Sequence, residues 1–427
     1  MNVEMLLDLI EKTPTAWHAA ANTEEILLKA GFQKIAQSDV DCLGAGDWFT
    51  GRNGTSLIAF RIPENMDPNT VCFRISAVHG DSPCFRLKPN AKKGGSCGRL
   101  NTERYGGGIL STWLDIPLAL AGRVTVRTEA GMKTELLYVD KPVAVIPNVA
   151  IHLSRDTNIA TALNPAVDLV PLFSDGDYSP EDLIAETLQV KKEDVLGWDL
   201  SLVAQGRGFT FGKDGEFVTA PRLDDLECAY TCLDGFLSAT IPANTVPVYA
   251  LFDNEEVGSL SFAGAAGTLL KDVIARILPE EHQRQGALAR SFFVSADNAH
   301  ALHPNHPELY DGDNAPKMNG GVVVKYNAMQ KYVSDGFSGA IFTEICRRAN
   351  VPVQVFANRS DKLGGSTLGN LAEAQVPLRG VDIGAAQLAM HSAHETAGSR
   401  DVDYMGKAMT AFYSADFSLS EDGIQWN

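Results

Sequence analysis

The chain has 427 residues, 45% hydrophobic and 21% charged, a balance typical of folded globular proteins that excludes a disordered chain. Its formal net charge of −17, from 53 acidic and 36 basic residues, repels phosphate backbones and anionic lipid and argues against nucleic-acid or membrane-surface partners. No apolar run approaches the ~20 residues needed to span a bilayer, and the opening stretch mixes Leu and Ile with Glu and Asp rather than reading as a secretory leader.

Met1 to Phe32 reads as two helices. Leu6, Leu7 and Ile10 form one stripe, Thr13-Pro14-Thr15 breaks it, and Gly31 ends the second helix. Leu57 to Arg61 and Val71 to Ala77 are short apolar runs and read as buried strands. From about Lys92 glycines crowd the chain, followed by β-like runs at Arg123 to Arg127, Glu135 to Val139 and Pro142 to Ile146, then an acidic segment from Ser179 to Asp194. After Pro221 an α/β rhythm returns: helices are expected at Leu226 to Leu237, Ser261 to Leu278 and Gly339 to Ala349. Strands are expected at Val246 to Phe252, Ser291 to Ala296, Val322 to Tyr326 and Val351 to Phe356. The pattern predicts one α/β domain, residues 1–91 and 220–427, a mixed sheet sandwiched by helices and interrupted by a β-rich insert at 92–219.

The seven Cys, at positions 42, 72, 84, 97, 228, 232 and 346, form no C-x-x-C pair. An odd count of isolated thiols fits a reducing compartment, so a cytoplasmic location is expected. Cys228 and Cys232, one helical turn apart, read as core packing.

Polar residues follow several apolar runs, where open α/β sheets bind ligands. His79 and Asp81 follow the second strand; Asp224 and Asp225 open a helix; Asp253, Glu255 and Glu256 follow Val246 to Phe252. Asp297 follows Ser291 to Ala296, and His391 follows a small-residue stretch near the end. Each has a bland alternative: a core histidine, a helix cap, a solvated turn. His300, His303 and His306, interrupted by Pro304, read as loop residues. Together the segments supply the imidazole nitrogens and carboxylate oxygens that zinc takes, including a carboxylate that could bridge two ions and a Glu pair offering a ligand and a general base. Serine-hydrolase, P-loop, dinucleotide and H-E-x-x-H patterns are missing.

With these segments in this order, the sequence resembles the aspartyl aminopeptidase family of cocatalytic zinc exopeptidases. The likeness runs from Thr13-Pro14-Thr15-Ala16-Trp17-His18-Ala19 to Met390-His391-Ser392. The resemblance implies a metal-dependent aminopeptidase that releases single N-terminal residues, acidic ones by preference, with two zinc ions per subunit, exchangeable with cobalt or manganese. It implies His79, Asp224 and Asp297 on one ion, Asp224, Glu256 and His391 on the other, Asp81 orienting His79, and Glu255 as general base. It further implies that His152, in Ile146 to Leu153, reaches a neighbouring subunit's site, and that Lys325 lies near the acidic side chain of the substrate. Self-association through the insert, as dimers building a dodecamer, is expected as well. Gly80, Asp225 and His394 stand where Thr, Asn and Arg are common in that family. Neutral or broad specificity, a small-molecule deacylase with the same metal chemistry, and an inactive scaffold are the alternatives.

Overall fold

The computed structural model describes residues 1–427 except 40–42, 156–157, 159–161 and 421. Cys42 therefore lies outside the described residues; the six other cysteines are free, with Cys228 and Cys232 buried in the core.

A nine-stranded mixed sheet forms the centre. Four of its strands run parallel side by side: Thr245–Phe252, Cys72–His79, Phe292–Ala296 and Arg379–Gly384. All eight residues of Thr245–Phe252 are buried, as expected for a strand covered on both faces. Side chains alternate: Val246, Val248, Ala250 and Phe252 enter one core, Tyr249 and Leu251 the other. Helices Val3–Glu11, Ala16–Lys29, Leu223–Ser238, Gly336–Arg348 and Ser399–Ser414 cover one face, and Leu269–Ile277 and Gly369–Gln375 the other.

A six-stranded antiparallel sheet stands apart in the pairing pattern, ordered 131–144, 118–128, 195–204, 84–93, 98–105 and 172–174. The runs expected near Arg123 and Glu135 are one long hairpin, Leu118–Thr128 with Gly131–Ala144. The acidic segment supplies helix Pro180–Leu188, capped by Ser179 and Asp182 reciprocally. A five-stranded sheet, 209–211, 217–220, 395–398, 386–388 and 299–300, brings the last segments of the chain beside the central one. Among the described residues no helix is long and apolar enough to cross a membrane.

One expected helix is largely absent. Helix forms only over Leu269–Ile277, not from Ser261. Ser259 and Gly258 hold positive φ (56° and 97°), and Gly264 lies against the Ser259 backbone, too close for a side chain. Small residues here serve a tight loop rather than a helix.

The helix Leu223–Ser238 lies tightly against Ser399–Ser414, because Gly235 lets the backbones approach: a Cβ there would sit 2.5 Å from Met409 Cβ and 2.8 Å from its carbonyl carbon. Alanine gains about 1 kcal/mol of helix propensity, but overpacking against backbone costs about 1–3 kcal/mol. Gly235→Ala should therefore lower the urea midpoint of unfolding; a rise would show that the helices separate freely.

His18 on Ala16–Lys29 packs edge-on against Tyr138, with rings 5.9 Å apart, and pairs with Thr15 Oγ1 at 2.8 Å. Burial, aided by Arg222, pushes its pKa from 6.5 down to about 4. The unfolded chain then binds the proton first, so stability is lost as pH falls from about 6.5 towards 4. His18→Gln should flatten this acid limb of the stability–pH curve relative to wild type, read by denaturation at stepped pH.

Candidate metal centre

The C-terminal ends of the parallel strands converge on Asp224. His79 ends its own strand and is 1% exposed; its Nε2 lies 3.4 Å from Asp224 Oδ1. His391 Nε2 lies 3.4 Å from the other oxygen, Asp224 Oδ2, and 3.3 Å from Glu256 Oε2. One carboxylate thus faces two imidazoles, one on each oxygen. Asp224 can do this because the helix has not yet begun there: it holds φ −81° and ψ 109°, and Asp225 is also non-helical. The expected helix start at Leu226 matches the first regular turn.

Two groups of potential ligands result. His79, Asp224, Asp225 and Asp297 bring ligand atoms within 4.8 Å of one another, and so do Asp224, Glu256 and His391. Each residue expected as a ligand lies in one of these groups, and Asp225 joins the first. Buried Asp224 Oδ1, Asp225 Oδ1 and Glu256 Oε1 have no hydrogen-bond partner among the described residues. Orphaned buried carboxylate oxygens beside imidazole nitrogens fit divalent cations of the zinc type, which supply the missing counter-charge.

The titration pattern has the same origin. Burial, reinforced by neighbouring acids, pushes Asp225 and Glu256 well above the usual carboxylate range and Glu255 up to about 8. Burial also raises Asp297, to about 6, although Lys325 opposes it. Burial works against a charged His391, yet Asp224 lifts it to about 9.

The supporting groups differ from expectation in two respects. Asp81 meets His79 Nδ1 first through its backbone carbonyl, at 3.0 Å; its carboxylate is 3.5 Å away. That carboxylate instead accepts the backbone N–H of Glu255 (3.1 Å) and of Glu256 (3.2 Å) and the Tyr105 hydroxyl (2.7 Å). It fixes the glutamate turn as much as the imidazole. Glu395, not foreseen from sequence, does the same on the other side, accepting Asp224 N–H at 2.9 Å and His391 N–H at 2.6 Å. Only its place four residues after His391 could have signalled it.

Glu255, Asp224, Asp297, His391, His300 and Lys325 line an open cavity of about 630 Å³. Lys325 is only 2% exposed, and its amine donates to the backbone carbonyls of Asp297 (2.7 Å) and Asn298 (3.4 Å). His152 is exposed and takes no part in the cluster of this protomer. Of the unusual positions, Gly80 has a reason: a Cβ would come within 2.9 Å of Ala19 Cβ on the covering helix. His303 and His306 lie in a loop with rings 5.0 Å apart and join neither ligand group.

Residues 9–413 match the family model described as Aminopeptidase I zinc metalloprotease (M18). A probable M18 family aminopeptidase 2 of Clostridium novyi (strain NT) is 40% identical over 425 residues, covering 96% of this chain and 98% of the relative. The structure described as the Ape4 and Nbr1 complex superposes with a TM-score of 0.91 at 32% identity, over 96% of this chain and 85% of that one. The mApe1 dodecamer of S. cerevisiae gives 0.83 at 27% identity, over 96% and 95%.

Because Asp224 belongs to both ligand groups and Asp297 to one, Asp224→Asn should weaken metal retention at both and Asp297→Asn at one. Metal analysis of dialysed protein, per chain, checks this; equal losses from the two variants would refute the shared carboxylate.

Proposed function

The chain belongs to the M18 family of zinc aminopeptidases, and from that premise we propose that it works with two zinc ions per subunit on peptides with acidic N-terminal residues. The observation that carries the reading is Asp224, whose two oxygens face His79 and His391 at 3.4 Å each, with Glu255 lining the same cavity.

His79, Asp224 and Asp297, with Asp225 beside them, would hold one ion; Asp224, Glu256 and His391 would hold the other. Zinc bound there supplies Lewis acidity and activates water. Glu255, next to a ligand but outside both ligand groups, takes a proton from the attacking water at its carboxylate and returns it to the leaving amine nitrogen. Burial and neighbouring acids raise the Glu255 carboxyl to about 8; cations held by those neighbours would lower it and leave the carboxylate free to accept the proton. Asp81 and Glu395 hold the ligand-bearing backbone in place by the four N–H bonds described above.

The segment 92–219 is read as an inserted dimerisation unit on the catalytic domain formed by 1–91 and 220–427. Exposed Val149, Ile151 and Leu153 support a partner surface there, and His152, exposed among them, is proposed to act at a neighbouring protomer's site. The mApe1 relative is a dodecamer, and a dodecamer built from dimers is proposed here. Free cysteines support a reducing, cytoplasmic setting.

Glu255→Gln should keep its metal and lose turnover by about 10²–10⁴-fold, the span of general-base catalysis. An unchanged rate would remove Glu255 from the mechanism. Hydrolysis of matched Asp-, Glu-, Leu- and Ala-terminal peptides, with chelator and zinc add-back, tests specificity. Zinc-restored release of Asp or Glu is the expected result; release of Leu or Ala in preference would overturn the acidic preference and leave the metal chemistry standing.

A further inference from the structure

The run Gly106-Gly107-Gly108 leaves the end of strand Gly98–Tyr105 and passes the metal centre. The chain then returns at Trp113, which is buried in the core of the six-stranded sheet and meets Phe85 edge-on at 5.2 Å. Tyr105 anchors the near end: its hydroxyl donates to Asp81 at 2.7 Å and accepts from Asn254 Nδ2 at 2.9 Å. Gly106, at φ 74°, runs so close to the glutamate turn that a Cβ would stand 3.2 Å from Glu256 Cβ. The Gly107 carbonyl lies 3.3 Å from His391 Nδ1. The Ile109 N–H donates to the His391 carbonyl at 2.9 Å. Thr112 Oγ1 accepts the Ala393 N–H at 3.0 Å and donates to the Ile109 carbonyl at 2.7 Å.

These contacts fall on a residue that needs holding. His391 has φ 67°, in the left-handed region that a residue with a side chain seldom occupies and keeps when its surroundings determine it. Glu395 fixes its N–H; residues 107 and 109 fix its ring and its carbonyl. A carbonyl can accept but not donate, so the Gly107 contact places the ring proton on Nδ1. Nε2 keeps its lone pair, and Nε2 is the nitrogen 3.4 Å from Asp224 Oδ2 and 3.3 Å from Glu256 Oε2. The other ligand group is oriented differently. His79 meets the Asp81 carbonyl of its own segment at 3.0 Å, and the Asp297 N–H is held by the Ile383 carbonyl at 3.0 Å.

Resting on the two-zinc reading, we propose that residues 106–112 form a positioning strap that sets zinc affinity at the Glu256–His391 group and not at the His79–Asp297 group. The strap orients His391 from outside and packs against Glu256, with glycine where the approach is closest. The six-stranded sheet, which carries both ends of the strap, then contributes to the metal centre itself, and one of the two ions depends on it.

The test reads zinc affinity site by site in the full-length chain, by competition with a chromophoric chelator. Two backgrounds separate the sites: Asp297→Asn leaves the Glu256–His391 group intact, and Glu256→Gln leaves the His79 group. Ile109 is 41% exposed and holds φ −75°, a value proline accepts. Ile109→Pro therefore removes the N–H given to His391, and Ile109→Ala, which keeps it, is the control. In the Asp297→Asn background Ile109→Pro should weaken zinc by about 10–100-fold, the span for outer groups that orient metal ligands. In the Glu256→Gln background it should change affinity by less than about threefold, and Ile109→Ala should stay within that limit in both. Thr112→Val, which loses one neutral hydrogen bond, should weaken the first background alone by at least about threefold; it decides the matter where the proline variant does not fold. Unchanged affinity in the first background, or equal weakening in both, overturns the strap and leaves the two-zinc reading intact. Wild-type protein that binds no zinc overturns both.

Discussion

Excess buried negative charge at one sheet edge is the constraint on which the rest of this structure depends. Asp81, Asp224, Asp225, Glu256 and Asp297 are gathered with few cations, and several of their oxygens have no hydrogen-bond partner among the described residues. Like charges at this spacing cannot all ionise in a dry interior unless a counter-ion is present. The upward shifts at Asp225, Glu255, Glu256 and Asp297 all express that same deficit. A fold retains such a cluster only where binding of cations stabilises it, because ligands that favour the folded state add to stability by mass action.

Holding such ligands in register takes backbone hydrogen bonds rather than side-chain packing. Asp81 and Glu395 each accept two N–H groups from ligand-bearing segments. Tyr105, from the six-stranded sheet, adds a third bond to Asp81. That bond ties the antiparallel unit directly to the glutamate turn of the central sheet. The two parts of the molecule are therefore linked at the chemistry and not only at a surface.

The central strands and most residues of the two candidate ligand groups were legible in sequence, for a simple reason. A strand buried on both faces is a short unbroken apolar run, as in Thr245–Phe252, and the first polar residue after it marks the edge where ligands gather. Val322–Tyr326 coincides with its expected range for the same reason. What stayed hidden depends on contacts between distant segments. Glu395 looks like any acid near a helix start, and only the fold brings its oxygens to the N–H groups of Asp224 and His391. The false helix from Ser261 arose because alanines and glycines suit a helix by propensity, while the close approach of Gly264 to Ser259 suits only a loop. The role of Asp81 was half legible: its neighbour His79 was foreseen, its hold on the glutamate turn was not.

Lys325 illustrates how far the behaviour of a buried lysine follows from its partners. A lysine beside an active-site cavity suggests substrate recognition, yet burial costs an ammonium several kcal/mol unless partners compensate. Asp297 supplies that compensation twice, through its backbone carbonyl at 2.7 Å and its carboxylate at 3.9 Å. An amine so placed keeps Asp297 from the still higher pKa that burial alone would impose, for the Lys325 charge is the main opposing influence on it. The same ion pair raises the Lys325 pKa, so the amine stays charged across the range in which the enzyme folds. Its charge acts on Asp297 first, and both residues face the cavity that Glu255 and His391 also line.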